Sequence, residues 1–267
     1  MKISLIIPTY KPADYIWECL DSLEKQTFPK TYFEVILVLN GCKEPYYSQL
    51  KEYIAKSEVQ YNLIQTDEGG VSNARNIALD NAKGEYITFI DDDDFVSPSY
   101  LEELYAKSSP DTMALCYPYA FNDGDMTQLP YSITEQYESR VPYGKQSYPR
   151  TRKFFSGPCM KLIPVSFIQG RRFDVRFKNG EDNLFMFLIS NKFKWVDFTS
   201  RNAIYYRRYR EGSAISKKRG FLERITNPLK LIKEETIIYF KGNYSFEFYI
   251  TRILAECKSI LYVCVGK

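Results

Sequence analysis

Short apolar runs alternate with amphipathic stretches along the first third of the chain. Residues 3–7, 34–39, 59–66 and 85–90 read as strands, and 13–26, 44–56 and 71–82 read as helices. In the first helix Ile16, Leu20 and Leu23 recur at helical spacing. Strand and helix at such short intervals predict a mostly parallel sheet covered by helices. In a sheet of that kind ligands bind beyond the carboxyl ends of the strands. Pro8-Thr9-Tyr10, Asn40-Gly41, 66–70 and 91–94 are therefore expected to open onto one crevice.

The alternation stops after a helix at 99–107 and a strand at 112–121. Residues 122–152, rich in tyrosine, proline, glycine and polar side chains, read as a long irregular insertion, mobile or a lid. Beyond it, 161–169 and 182–190 are expected to be helical, and 194–198 and 203–206 short strands. Two helical stretches follow Phe221, broken around Gly242-Asn243. The expected architecture is α/β, with a Rossmann-like N-terminal half and a C-terminal helical extension. It divides into a ligand-binding half at 1–107, a second half at 108–216 and a basic, amphipathic extension at 217–267.

With 267 residues, 45% hydrophobic and 26% charged, the chain suffices for one large domain plus an appendage. A net charge of +3 is too small to imply a nucleic-acid partner. Its basic residues crowd the last quarter, where Lys217, Lys218, Arg219, Arg224, Lys230 and Lys233 accompany Phe221, Leu222, Ile225, Leu229, Leu231 and Ile232. That stretch reads equally as a helix on an anionic membrane surface and as one packed on the body. The apolar run 248–265 is interrupted by Arg252, Glu256 and Lys258, which argues against a spanning helix. The N-terminal apolar run is shorter than a signal peptide's core and is stopped by Pro8, so a cytoplasmic location is expected, with contact to the inner face of the plasma membrane as an extension of that reading.

The chain has no histidine, and its six cysteines form no Cys-x-x-Cys pair, so the usual zinc sets are unavailable. The cysteines read as reduced, buried thiols. Metal binding and proton transfer must therefore fall to carboxylates and a few other groups. The strand at 85–90 runs straight into Asp91, Asp92, Asp93 and Asp94. These acids read either as a solvated turn capping the next helix or as ligands, Asp91 and Asp93 converging on a magnesium or manganese ion that also takes phosphate oxygens. Gly69-Gly70 ahead of a helix carrying Arg75 suits an anion at the helix N-terminus, or a flexible turn with a structural arginine. It is not a Walker loop, because the Gly-Lys-Ser/Thr ending is missing. Glu181 and Asp182 precede an apolar helix and either cap it or supply a metal-free general base. Arg207, Arg208 and Arg210 follow a tyrosine-rich strand and read as a phosphate fork or a solvated loop.

Taken in order, these segments resemble the family 2 glycosyltransferases, inverting enzymes of the A-type glycosyltransferase fold that make bacterial surface polysaccharides. The resemblance covers about residues 1–216 and rests on 4–10, 19–27, 69–76, 84–94, 180–182 and 210–213. It implies a single displacement from a nucleotide-sugar donor to a hydroxyl of a glycan or lipid-linked acceptor. Thr9, Asn40, Asp67 and Arg75 would line the nucleotide pocket, with Asp91 and Asp92 near the ribose or diphosphate. Asp93 would be the main metal ligand, Asp91 a second one, and the cofactor Mn2+ or Mg2+. Asp182 would be the general base with Glu181 beside it, while Arg208, Arg210 and Ser213 would hold the diphosphate. The donor implied is first a UDP-sugar; Asn40 stands where the family commonly has an acid, and because its amide both accepts and donates, the base stays open. Arg210 stands where many relatives have histidine. A nucleotidyltransferase on a similar sheet would need a glycine-rich basic loop after the first strand, which 8–12 do not supply, and a non-catalytic glycan-binding or scaffolding subunit would not need the intact acids at both sites.

Overall fold

The computed structural model describes residues 1–212 and 220–265. In chain order the elements are β1 Ile3–Thr9, α1 Tyr15–Glu24, β2 Phe33–Asn40, α2 Tyr46–Ile54, β3 Gln60–Thr66, α3 Val71–Asn81, β4 Tyr86–Phe89, β5 Phe95–Val96, α4 Tyr100–Lys107, β6 Thr112–Leu115 and β7 Tyr117–Asn122. There follow α5 Ser132–Arg140, β8 Gln146–Ser147, β9 Lys161–Pro164, α6 Val165–Ile168, α7 Glu181–Ile189, β10 Trp195–Phe198, β11 Ile204–Tyr209, α8 Phe221–Lys241 and α9 Phe246–Cys264. Eight strands form one sheet in the order β3-β2-β1-β4-β9-β6-β10-β8. Its first four strands are parallel, as the alternation of strands and helices predicts. A small second sheet, β5-β11-β7, stands beside the ends of β4 and β6.

β1 and β2 are buried at every position, the signature of central strands covered on both faces. α3 lies close over them because its buried face is built from the small side chains Ala74 and Ala78. The parallel strands all end at one edge of the sheet, so Thr9, Asn40 and the turn after β4 arrive there together.

Three expectations about secondary structure change. Residues 161–164 form a strand: β9 inserts antiparallel between β4 and β6 with every residue buried, and only the one-turn α6 follows. A run of four residues cannot declare its own period, so its neighbours decide its state. The predicted strand 112–121 is divided at Cys116, and β7 leaves for the second sheet, where it runs parallel to β11. The stretch 122–152 is largely structured, carrying α5 and 3-10 turns at Val141–Tyr143 and Tyr148–Ser156. Three of its four tyrosines, Tyr131, Tyr137 and Tyr148, are core residues, while Tyr143 is exposed. Tyr137 meets Phe198 edge-to-face with ring centroids 5.5 Å apart, and Tyr148 meets Phe193 in the same manner.

α8 and α9 pack as a hairpin on α7, with Leu231 and Phe248 buried against the body. Inside the hairpin Tyr239 stacks on Tyr249 at 4.2 Å, and Glu235 and Arg252 form a buried ion pair at 2.6 Å. Among the described residues no helix is long and apolar enough to cross a membrane. The cysteines depart from expectation: all six are free thiols, but Cys42, Cys257 and Cys264 are exposed.

Candidate active site

A cleft of about 950 Å³ opens at the carboxyl edge of the strands. Thr9, Asn40, Arg75, Asp91 to Asp94, Glu181, Asp182, Arg208 and Arg210 all border it, so most of the residues singled out in sequence come together. A separate hollow between α1 and α2, walled by Trp17 and Tyr53, lies away from these acids.

β1 ends on Thr9, whose hydroxyl donates to Asp92 Oδ2 at 2.5 Å. β2 ends on Asn40, which braces the loops on either side. Its Nδ2 donates to the Thr9 carbonyl at 2.7 Å, and its Oδ1 accepts from the Gly70 amide at 3.0 Å. Asn40 thus spends its amide on pocket architecture. The four acids lie in a turn after β4 closed by the Asp94 amide donating to the Asp91 carbonyl at 3.0 Å. Asp94 is buried and accepts the backbone amide of Arg208 at 2.8 Å, tying the turn to β11, while the Asp91 amide donates to the Tyr205 hydroxyl at 3.2 Å.

Arg75, one turn into α3, is 3% exposed and reaches across the cleft floor. Its Nη1 donates to Asp182 Oδ1 at 2.5 Å and its Nη2 to Asp91 Oδ1 at 2.9 Å. One guanidinium therefore couples the acid turn to the start of α7. Glu181 and Asp182 open that helix behind Gly180, which has φ +83°. A Cβ at Gly180 would lie 2.5 Å from Leu231 Cδ1, so both the backbone and α8 demand glycine there.

Arg210 and Arg208 of the basic segment differ. Arg210 donates from Nε to Asp93 Oδ2 at 2.7 Å and lies 4.3 Å from the centre of the Tyr15 ring, at the cleft mouth. Arg208 pairs with Glu18, donates to Asp123 Oδ1 at 2.6 Å and donates to the Asp93 carbonyl at 2.9 Å. Its fork is filled by the protein, and its work in this state is to brace the second sheet. Asp67 stands apart: it is exposed beyond β3, accepts from Gln65 Nε2 at 2.8 Å and is not among the cleft residues. Ser213 lies outside the described residues, as do Lys217, Lys218 and Arg219.

Burial pushes the acids up. The Asp92 carboxyl is raised to about 7 by burial, opposed by the Thr9 bond and reinforced by Asp93 and Asp91. Asp93 is raised by burial and Asp91, with Arg210 opposing. Asp94 is raised well above the carboxylate range by burial and the same neighbours. Burial also raises Asp182, opposed by Arg75 and reinforced by Asp91. Sequence reasoning missed Lys161, which is fully buried at the start of β9. It donates to the carbonyls of Gly157, at 2.6 Å, and Cys159, holding the loop that faces Asp182, and burial lowers its ammonium to about 8. A lysine inside an apolar run was the available signal.

Among the described residues no three acid or thiol side chains converge at metal-binding distance. Asp91 and Asp93 still fit a hard divalent cation: both border the cleft, both offer oxygen, and the crowded acids have repulsion for a cation to relieve. A donor diphosphate would complete such a shell.

Strand-end acids facing a second pair of acids at the start of α7, across a cleft at the carboxyl edge of the sheet, form a candidate site for group transfer. The family model described as "Glycosyl transferase family 2" matches residues 4–172, and the chain belongs to that family. It is 27% identical over 242 residues to the poly(ribitol-phosphate) beta-N-acetylglucosaminyltransferase TarS of Staphylococcus aureus, covering 89% of this chain and 41% of TarS. It is 31% identical over 221 residues to a poly(ribitol-phosphate) beta-glucosyltransferase of Bacillus spizizenii, covering 81% of this chain and 34% of that protein. The chain thus spans less than half the length of these curated relatives. Among solved structures, S. aureus TarS 1-349 in complex with UDP-GlcNAc superposes with a TM-score of 0.75 at 23% identity, covering 99% of this chain and 72% of that one. The mannosyltransferase PcManGT of Pyrobaculum calidifontis, in complex with GDP-Man and Mn2+, gives 0.66 at 17% identity, covering 99% and 73%. The expected A-type glycosyltransferase fold, with its C-terminal helices, is the fold found.

Proposed function

We propose that this chain moves a sugar from a nucleotide-sugar donor, a UDP-sugar first, to an acceptor hydroxyl of a bacterial surface polymer, inverting the anomeric centre. The observation that carries this is the Arg75 bridge, with Asp182 at 2.5 Å on one side and Asp91 at 2.9 Å on the other. It sets a candidate base at fixed reach from the acids that would face the diphosphate. The UDP and UDP-GlcNAc complexes of TarS support the donor class.

Asp182 would take the proton of the acceptor hydroxyl, whose oxygen attacks the anomeric carbon as the nucleoside diphosphate leaves from the opposite face. Burial suits it to this, because a carboxylate raised toward working pH is a stronger base. Arg75 keeps it oriented, and Arg210 at the mouth is placed to meet phosphate oxygens. Asp93 and Asp91 would hold Mn2+ or Mg2+, and when bound the cation offsets charge growing on the departing diphosphate. Glu181, 8% exposed at the same helix start, completes the acidic wall. The reaction is assigned to the cytoplasm, at the inner face of the plasma membrane. Exposed Leu222, Leu229 and Phe240 alongside Lys230 and Lys233 support that contact.

The test is transfer by purified protein from a panel of UDP-sugars with and without Mn2+. Asp182→Asn should keep donor affinity and lose transfer by at least a hundredfold. Near-normal turnover in that variant would remove Asp182 as the base.

A further inference from the structure

We propose that Arg207 forms a subsite for a phosphate group of the acceptor, so that the chain glycosylates a polymer bearing phosphodiesters rather than a neutral glycan. This rests on the glycosyl-transfer reading above. Four other cations of the cleft have partners within the protein: Arg75 has Asp182 and Asp91, Arg208 has Glu18 and Asp123, Arg210 has Asp93, and buried Lys161 has two carbonyls. The exposed Lys11 and Lys178 lie at its rim. Arg207 borders the same cleft, partly buried, and among the described residues no carboxylate pairs with it. Its Nη1 donates to the Tyr131 hydroxyl.

The guanidinium is held by aromatic rings instead. Its central carbon lies 5.2 Å from the Tyr131 ring centre and 5.4 Å from that of Tyr209. Ring contacts fix the plane of the group without consuming its N–H donors, and a guanidinium carries five of them in a fork that matches phosphate. Burial opposes its charge, which Tyr131, Tyr209 and the buried Asp94 sustain. A guanidinium held by ring faces at a cleft wall keeps N–H donors to offer a ligand anion.

The location favours the acceptor. Arg75 and Arg210 already flank the acids that would face the donor diphosphate. Arg207 belongs to the wall formed by Tyr131, Ile133 and Phe154, drawn from the segment after β7. Relatives named for poly(ribitol-phosphate) act on a polymer of this chemistry.

The experiment measures calorimetric binding of a short ribitol-phosphate oligomer and, separately, of UDP with Mn2+, to wild type, Arg207→Gln and Arg207→Lys. A phosphate-free oligosaccharide serves as the neutral probe, and thermal melting checks the fold. Arg207→Gln should weaken oligomer binding about tenfold or more while UDP affinity holds, and Arg207→Lys should recover part of the loss. Equal oligomer binding by wild type and Arg207→Gln overturns the subsite. Loss of UDP affinity instead overturns the acceptor assignment, because the phosphate held would be the donor's. Wild type that prefers the neutral probe overturns the phosphodiester specificity. Binding needs no turnover, so a failure of Asp182→Asn to abolish transfer would strike the base assignment alone.

Discussion

Asp92 is an acid whose removal should stabilise the free protein. Its carboxyl rises from 3.8 to about 7 on folding, because burial outweighs the bond it receives from Thr9. A folded-state pKa above the unfolded one means that, between about pH 4 and pH 7, the folded protein holds a proton the unfolded chain has released. Folding bears no penalty from this group below about pH 4. It loses stability as pH rises, by up to ~1.4 kcal/mol per pH unit, and bears the full penalty above about pH 7. The difference of roughly three units would amount to about 4 kcal/mol, and solvent at the cleft edge should reduce that to about 2 kcal/mol. Asp92→Asn keeps an oxygen for the Thr9 hydroxyl and deletes the titration. Urea unfolding of metal-free, ligand-free protein should therefore find the variant more stable than wild type by about 2 kcal/mol at about pH 8, with the gap closing toward about pH 4. Added UDP with Mn2+ should stabilise wild type more than the variant. A variant less stable at high pH, or a gap that ignores pH, would refute the reasoning.

Gly180→Ala should cost about 2–4 kcal/mol, combining positive-φ strain with the 2.5 Å approach to Leu231. In a Leu231→Ala background only the conformational part, about 1 kcal/mol, should remain, and equal losses in both backgrounds by urea unfolding would show that the clash is not the cause. Liposome co-sedimentation should find the protein on anionic vesicles, with Leu229→Glu and Phe240→Glu releasing it; absence of wild-type binding removes the membrane contact from the proposed function.

The parts of the fold that sequence disclosed are those whose cause is local. β1, β2 and α1 carry their periods within themselves, and a strand that runs into four aspartates fixes where the acids stand. β9 does not, since four residues are a strand only because β4 and β6 flank them. The tyrosines of 131–148 looked like loop composition because nothing local says that Tyr137 will find Phe198, some sixty positions away. Asp67 obeyed the strand-end rule and still missed the cleft, because β3 is the edge strand and its tip faces solvent. Arg208 and Arg207 are adjacent and chemically identical, yet Glu18 and Asp123 fill the fork of one while aromatic rings hold the other. Such partners, distant in sequence, were beyond pattern reading.

The absence of histidine gives the cleft an unusual response to pH. The arginines keep their charge throughout the working range, so titration near neutrality falls on Asp92, with Lys161 responding at the upper edge. Asp92 and Asp182 are raised for the same reason, and ionising either one costs folding stability. Ionising Asp182 also arms the proposed base, whereas ionising Asp92 beside Asp91 and Asp93 brings the stability cost alone. Ionising these acids as pH rises should thus exchange stability for reactivity in the empty enzyme. A donor diphosphate bound with its cation would lift that conflict, since positive charge beside the acid turn makes the ionised state of all these carboxylates the favourable one.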